Sequence, residues 1–239
     1  MFGGLTMKLI KQGKLGYSLT NTSANLSVIG AFQIVEDAIT EMMGNLNLDG
    51  ETCVPKYNAM WIFAKNRIEM RSPIHWLDEY TVECAITNAG GVKLIVDTLI
   101  KCHDKIAVAS RAELCAIDCQ TGRVRRANTA GVDETLEIEN PEIDIEFHNA
   151  NFEPVELVYS VCIGASAIDF YHHTNNIAYV QYVVNQFNAE YPISAFEIRY
   201  INQTFQGDKL ELYKCDDNKF TIRTGDKTVV NCIVEQGAQ

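Results

Sequence analysis

Several features are missing from this sequence, and each absence excludes something. None of its eight cysteines forms a C-x-x-C pair, and no Cys/His spacing fits a structural zinc site. Most of these cysteines lie within apolar runs, which reads as buried free thiols in a reducing compartment. No apolar run approaches the roughly 20 residues needed to cross a bilayer. The first residues, MFGGLTMKLIKQGKLGY, contain no long apolar core and no small-residue cleavage site, so no signal peptide is read there. Lysine and arginine are absent between Arg126 and Arg199. With a net charge of −11 at pH 7, the chain is poorly suited to nonspecific nucleic-acid binding.

What is present is a globular composition over 239 residues, 47% apolar and 21% charged, enough for one large domain or two small ones. Seven acidic residues crowd the stretch from Asp133 to Glu146. Basic residues gather at Lys8, Lys11 and Lys14 and again at Arg123, Arg125 and Arg126. Charge runs are usually solvated faces. The Arg123, Arg125 and Arg126 group could instead meet an acidic carrier or a phosphate.

Two segments carry helical periodicity. Val28, Ala31, Phe32, Val35, Ala38, Ile39 and Met42 mark the first, and Ile177, Val180, Val183, Val184 and Phe187 mark the second. Both are apolar around much of their circumference, which predicts helices wrapped by other elements. Glu36 and Asp37 sit mid-helix in the first, where a solvated position is the ordinary expectation and a catalytic helix carboxylate is the alternative. Strand-like runs follow each helix, and Asp216–Lys219 and Thr224–Lys227 read as hairpin turns. The order of strand, buried helix and antiparallel meander occurs twice. Asn25–Gln33 lines up with His173–Gln181, and Leu77–Val82 with Gly207–Leu212. The acidic stretch Ala130–Pro154 reads as the linker, giving halves of 1–140 and 141–239. The expected fold class is α+β, a tandem (double) hotdog in which each half wraps a long central helix in an antiparallel β-sheet.

The richest stretch chemically is Asp169-Phe-Tyr-His-His-Thr-Asn-Asn176, between a strand-like run and the second helix. It places a carboxylate and two imidazoles at a strand-to-helix corner. Asn175 and Asn176 are favoured cap residues there. The unpaired N–H groups of the helix's first turn could polarise a carbonyl or hold an oxyanion.

These features resemble the acyl-ACP thioesterases of plants and bacteria. Their signature, approximately D-x-N-x-H-V-N-N-x-x-Y, stands here as Asp169-Phe-Tyr171-His-His173-Thr-Asn175-Asn176-Ile-Ala-Tyr179. Glu197-Ile-Arg-Tyr200-Ile-Asn-Gln203 leading to Gly207-Asp208 is similar to the family's next strand. In the first half, Met60-Trp61, Ser72-Pro-Ile-His-Trp-Leu-Asp78 and Asp118-Cys-Gln-Thr-Gly-Arg123 resemble its Met-Trp strand, its Pro-x-W segment and its D-x-x-T-G-R turn. The resemblance spans nearly the whole chain.

It implies hydrolysis of fatty acyl thioesters to free fatty acid and acyl carrier protein (ACP), in the cytoplasm, within fatty acid biosynthesis. The partner implied is ACP with its phosphopantetheine-linked acyl chain; no cofactor, metal, nucleic acid or membrane is called for. Either a monomer or a homodimer fits, since the tandem chain could pair its two halves internally. The family's catalytic Asp, Asn, His and Glu fall on Asp169, Tyr171, His173 and Gln203, so two of the four positions depart from the pattern. Thr204 stands where plant members carry Cys. His173 is the best candidate base, with Asp169 to orient it. Gln203 can position water but cannot act as a carboxylate. Asn175, Asn176, Met60, Trp61, Arg123, Arg125 and Arg126 are the implied substrate-binding residues. An acyl-CoA thioesterase of the same fold, or a non-catalytic acyl-binding protein, are the alternatives.

Overall fold

The computed structural model describes residues 8–133, 138 and 143–237. Two of its three α-helices are the expected apolar ones. Helix α1 (Val28–Asn45) starts at Ser27, whose hydroxyl accepts the Gly30 N–H, and buries residues from Val28 to Met43 on most of its circumference. Helix α3 (Asn176–Val184) starts at Asn175, whose side chain accepts the Ile177 N–H. It stops before Phe187, the expected end, and the backbone continues as tight turns from Val183 and Val184. Helix α2 (Gly50–Tyr57) has no counterpart among the expectations. Its composition is barely apolar and it contains Pro55, but Asp49 caps it and Asn58 ends it at φ 51°.

Ten strands form one antiparallel sheet: β1 (Lys8–Lys14), β2 (Ala59–Met70), β3 (Glu79–Gly90), β4 (Lys93–Cys102), β5 (Lys105–Asp118), β6 (Glu156–Cys162), β7 (Ile193–Tyr200), β8 (Lys209–Lys214), β9 (Lys219–Thr224) and β10 (Lys227–Gln236). Strand β1 was not expected, because its lysines obscure the alternation; it pairs with β3 as an edge strand, and charged edges resist unwanted pairing. Strand β6 stops at Cys162, short of the Asp169–Asn176 corner, because Ala165–Ala167 form a 3₁₀ turn.

The spatial order is β1-β3-β4-β5-β2-β7-β10-β9-β8-β6. Read outward from its centre, the first half runs second, fifth, fourth, third and first strand, and the second half repeats that order. Small details repeat too. Strand, 3₁₀ turn and helix begin at Lys8, Tyr17 and Val28, and again with the same spacing at Glu156, Ala165 and Asn176. The isolated bridges Thr20↔Leu26 and Ile168↔Thr174 occupy matching places. Pairing of β2 with β7, from Lys65↔Arg199 to Glu69↔Ala195, joins the halves into a continuous sheet.

One apolar core runs through both halves and includes α1, α3 and the inner faces of the strands. Helix α1 reaches the second half directly: Phe32 meets Phe196 of β7 edge to face, with ring centroids 5.4 Å apart. Of the acidic stretch read as a linker, residues 134–137 and 139–142 lie outside the described residues. The part after 143 is a packed strap. Ile143 and Ile145 are buried against Leu99 and Ala109, Arg111 donates to the Ile145 carbonyl, and His148 hydrogen-bonds Glu197. Among the described residues, no helix is long and apolar enough to cross a membrane.

Candidate active site

The Asp169–Asn176 corner is shaped by its own carboxylate. Asp169 Oδ1 accepts the backbone N–H groups of Tyr171 (2.9 Å) and His173 (3.1 Å), the local bonding by which Asp favours turns. The first half builds the same corner with Asn21, whose Oδ1 accepts from Ser23 (3.0 Å) and Asn25 (3.1 Å). Left-handed residues recur as well, His172 at φ 64° and Ala24 at φ 57°. Asp169 therefore holds His173 through its backbone.

The shape is duplicated, but the chemistry is not. The Leu26 N–H bonds to the Ile74 carbonyl in the first half, and the Thr174 N–H to the Thr204 carbonyl in the second. These pairings align Asn25 with His173, Leu26 with Thr174 and Ile74 with Thr204. Thr174, Thr204 and Tyr179 are all buried and share hydroxyl hydrogen bonds, 2.8 Å from Thr174 to Thr204 and 2.7 Å from Tyr179 to Thr204. A buried hydroxyl without a partner would cost about 1–3 kcal/mol, so the three satisfy one another. They pin the start of α3 to the segment after β7.

His173 is half-buried, its ring edge-on to Phe205 at 5.3 Å. Among the described residues its ring nitrogens make no hydrogen bond, which leaves both for a ligand. Asn175 is exposed and serves as the cap of α3. Asn176 is half-buried, and its side-chain amide faces the carboxylate of Glu36 on α1.

Glu36, for which a solvated position was the ordinary expectation, is half-buried. It lies one turn beyond Phe32 on the same face of α1, as Tyr200 lies on the same face of β7 as Phe196. The Tyr200 hydroxyl donates to Glu36 Oε1 at 3.5 Å. Burial pushes the Glu36 carboxyl up from 4.5 to about 8, against the two hydrogen bonds that favour its charged form. Burial, and then the nearby Glu36 charge, also push the Tyr200 phenol well up. Asp37, the next residue, is exposed. The one signal in the sequence was a carboxylate spaced four residues from Phe32 in a helix apolar nearly all round.

The other expected site residues are dispersed. Tyr171 packs across the halves on Gly50 at the α2 N-terminus, so closely that a Cβ at Gly50 would collide with its phenol oxygen. Gln203 is exposed, next to buried Thr204. Met60 and Trp61 are partly buried on β2, and the Trp61 indole donates to the Ala130 carbonyl at 3.1 Å. Arg125 is tied down, donating to the Tyr57 and Thr129 carbonyls and pairing with Asp118 at 3.7 Å. Arg123 and Arg126 are exposed beside it. Away from the corner, Asp78, Cys102 and His103 bring potential ligand atoms within 4.8 Å of one another, though Asp78 already accepts the His75 N–H.

No family model and no curated protein matches the chain in sequence. Solved structures do match it. The chain is similar to an acyl-ACP thioesterase from Bacteroides thetaiotaomicron, with a TM-score of 0.85 at 16% identity over 97% of this chain and 98% of that one. It is also similar to the 12:0-ACP thioesterase of Umbellularia californica, with a TM-score of 0.78 at 15% identity over the whole of both chains. At such identities the likeness speaks to the fold, and together with the repeated strand order it makes this chain a tandem hotdog.

Proposed function

We propose that this protein hydrolyses fatty acyl thioesters carried on ACP, in the cytoplasm, at the corner between Asp169 and Asn176. The observation that carries this reading is the asymmetry of the duplicated fold. Where the first corner has Asn25, Leu26 and Ile74, the second has His173, Thr174 and Thr204. The second copy thus holds polar groups where the first holds apolar ones at two of three positions, and its buried threonines are kept there by bonding one another.

In the proposed reaction the acyl carbonyl sits at the first turn of α3, where the positive end of the helix stabilises the oxyanion although the Ile177 and Ala178 N–H groups are already bonded to Asn175. His173 handles protons at the thioester, since imidazole exchanges them near neutral pH. Asp169 holds His173 in place through the backbone. Asn175 fixes the start of α3, and Tyr171 docks the corner on the first half. Gln203 lies at the rim. The apolar inner wall of the sheet, with Met60 and Trp61, takes the acyl chain. Exposed Arg123 and Arg126 are the contacts offered to the acidic carrier, effective only within the roughly 8–10 Å over which physiological salt leaves charges unscreened. Two halves, 1–140 and 141–239, pair within one chain, so a monomer suffices.

A non-catalytic acyl-binding role is the second reading, favoured by the Tyr171 phenol being held at Gly50 and by exposed Gln203. Thiol release from one acyl chain on ACP and on CoA separates the readings. Faster release from ACP is expected. Faster release from CoA reassigns the carrier, and bound acyl chain without release on both makes this a binding protein.

A further inference from the structure

Asp78, Cys102 and His103 converge from two places in the first half. Lys101 of β4 pairs with Thr81 of β3, so the end of β4 lies beside the segment that leads into β3. There the Cys102 Sγ is 4.0 Å from Asp78 Oδ2 and 3.4 Å from His103 Nδ1. All three donor atoms lie within 4.8 Å of one another. Zinc–sulfur bonds of about 2.3 Å and zinc–nitrogen or zinc–oxygen bonds of about 2.0–2.1 Å set donors about 3.3–3.6 Å apart around a tetrahedral ion. The Cys102–His103 separation already matches. The His103 ring is exposed and the Asp78 side chain half-buried, so small rotations complete the set.

The duplicated fold separates what the turns need from what they do not. Asp78 has a counterpart: its Oδ2 accepts the His75 N–H at 2.9 Å, as Asp208 Oδ2 accepts the Phe205 N–H at 2.9 Å. That one bond leaves the carboxylate further acceptor capacity. Cys102 and His103 have no such duplicated role. Each copy closes its next hairpin with two residues, between Cys102 and Lys105 in the first and between Thr224 and Lys227 in the second. The second turn takes its positive φ on Gly225, at 55°; the first takes it on His103 and Asp104, at 49° and 59°. Glycine and asparagine suit such turns, and an imidazole there costs backbone free energy. Where the second copy has Thr224 and Gly225, the first thus holds a buried thiol and an imidazole, both turned toward one carboxylate.

We propose that Asp78, Cys102 and His103 bind a divalent cation of the zinc type. Thiolate and imidazole select such an ion over magnesium or calcium, which prefer oxygen donors alone. On binding, the Cys102 S–H proton leaves to solvent. The thiolate, the neutral His103 Nδ1 and the Asp78 carboxylate each give an electron pair to the ion, and water fills the remaining position. Spacing along the chain conceals the site, because Cys102 and His103 are adjacent and Asp78 comes from another loop. The bound ion ties the segment entering β3 to the β4–β5 hairpin. The proposal does not rest on the thioesterase reading.

The experiment is titration of the full chain, treated with a chelator and kept reduced with a phosphine, first with Co²⁺ as an optical probe and then with Zn²⁺. Wild type should give a thiolate-to-cobalt charge-transfer band that Zn²⁺ abolishes. Cys102→Ser should lose the band, whereas Cys162→Ser, which removes an exposed thiol elsewhere, should keep it. Loss of even an outer partner of a metal ligand weakens binding about 10–100-fold, so His103→Gly should weaken both ions by about 100-fold or more. His103→Gly also gives the first turn the glycine of the second, so without metal its Tm should equal or exceed that of wild type. Zn²⁺ should raise the Tm of wild type and leave that of His103→Gly unmoved. A wild type without the band, a band that survives Cys102→Ser, or an equal Zn²⁺-dependent rise in Tm for wild type and His103→Gly each overturns the site. If Cys102→Ser fails to fold, the exposed His103→Gly change decides alone.

Discussion

Phe32 of α1 and Phe196 of β7 lie edge to face at 5.4 Å, both fully buried, although they belong to different halves. One helical turn and two strand repeats farther on, the same pair of elements brings Glu36 to Tyr200. An apolar contact thereby positions a polar one. Truncating Phe32→Ala should cost about 3–5 kcal/mol, the range for emptying an aromatic site in a packed core. Urea unfolding measures this directly. A loss under about 1 kcal/mol would mean that the halves are not keyed together here.

His173→Ala should lower acyl-ACP hydrolysis by about 100-fold or more, the scale of removing a proton-transfer group. Its ring touches only the edge of Phe205 among aromatic neighbours, so the melting temperature should move little. Thiol release and a thermal melt on the same preparation check both. Near-wild-type hydrolysis would sink the assignment of His173.

Glu36→Gln should stabilise the protein, and more so at higher pH. The Glu36 carboxyl is raised in the folded state from 4.5 to about 8. Between those values the unfolded chain has released a proton that the folded chain keeps, so this group makes stability fall as pH rises. Below about 4.5 both states are protonated and the difference vanishes. The gain in Tm of Glu36→Gln over wild type should therefore be larger at pH 8 than at pH 5. Equal gains would place the carboxylate in solvent.

Leu77 and Gly207 occupy matching turns, each with its N–H on the strand carbonyl of Leu15 or Ile163, and both have positive φ, 72° and 91°. Glycine adopts this backbone freely and leucine does not. Leu77→Gly should be stabilising or neutral, and Gly207→Ala destabilising by about 1 kcal/mol. Opposite signs in paired denaturation curves support the equivalence of the two turns. A loss at Leu77→Gly as large as at Gly207→Ala would refute it.

Local periodicity and caps made much of the architecture legible. The Val28–Met43 pattern announced α1, and alternating runs announced most strands. Asn25–Gln33 against His173–Gln181 announced the repeat, which the strand order then displayed twice over. Strand β1 escaped notice because its lysines interrupt the alternation, and α2 because neither apolar stripe nor length marks it. The corner was legible because its groups are neighbours in the chain. Asp169 reaches Tyr171 and His173 within a few residues, as any Asp at such a turn can.

Glu36 shows the division most sharply. Its sequence neighbours could say only that Glu36 and Asp37 share one turn of an apolar helix. Adjacent helical residues point about 100° apart, so one could be enclosed while the other met water. Which of them was enclosed depended on where α1 lay against β7 and α3, elements more than a hundred residues away in the chain. By itself, the sequence determined the two buried helices, the repeat and the Asp169–Asn176 corner, because local periodicity and hydrogen bonding act over a few residues. Only the tertiary packing decided that Glu36 would meet Asn176 and Tyr200 and that Tyr171 would dock on Gly50, because those contacts exist only once the two halves close on one another.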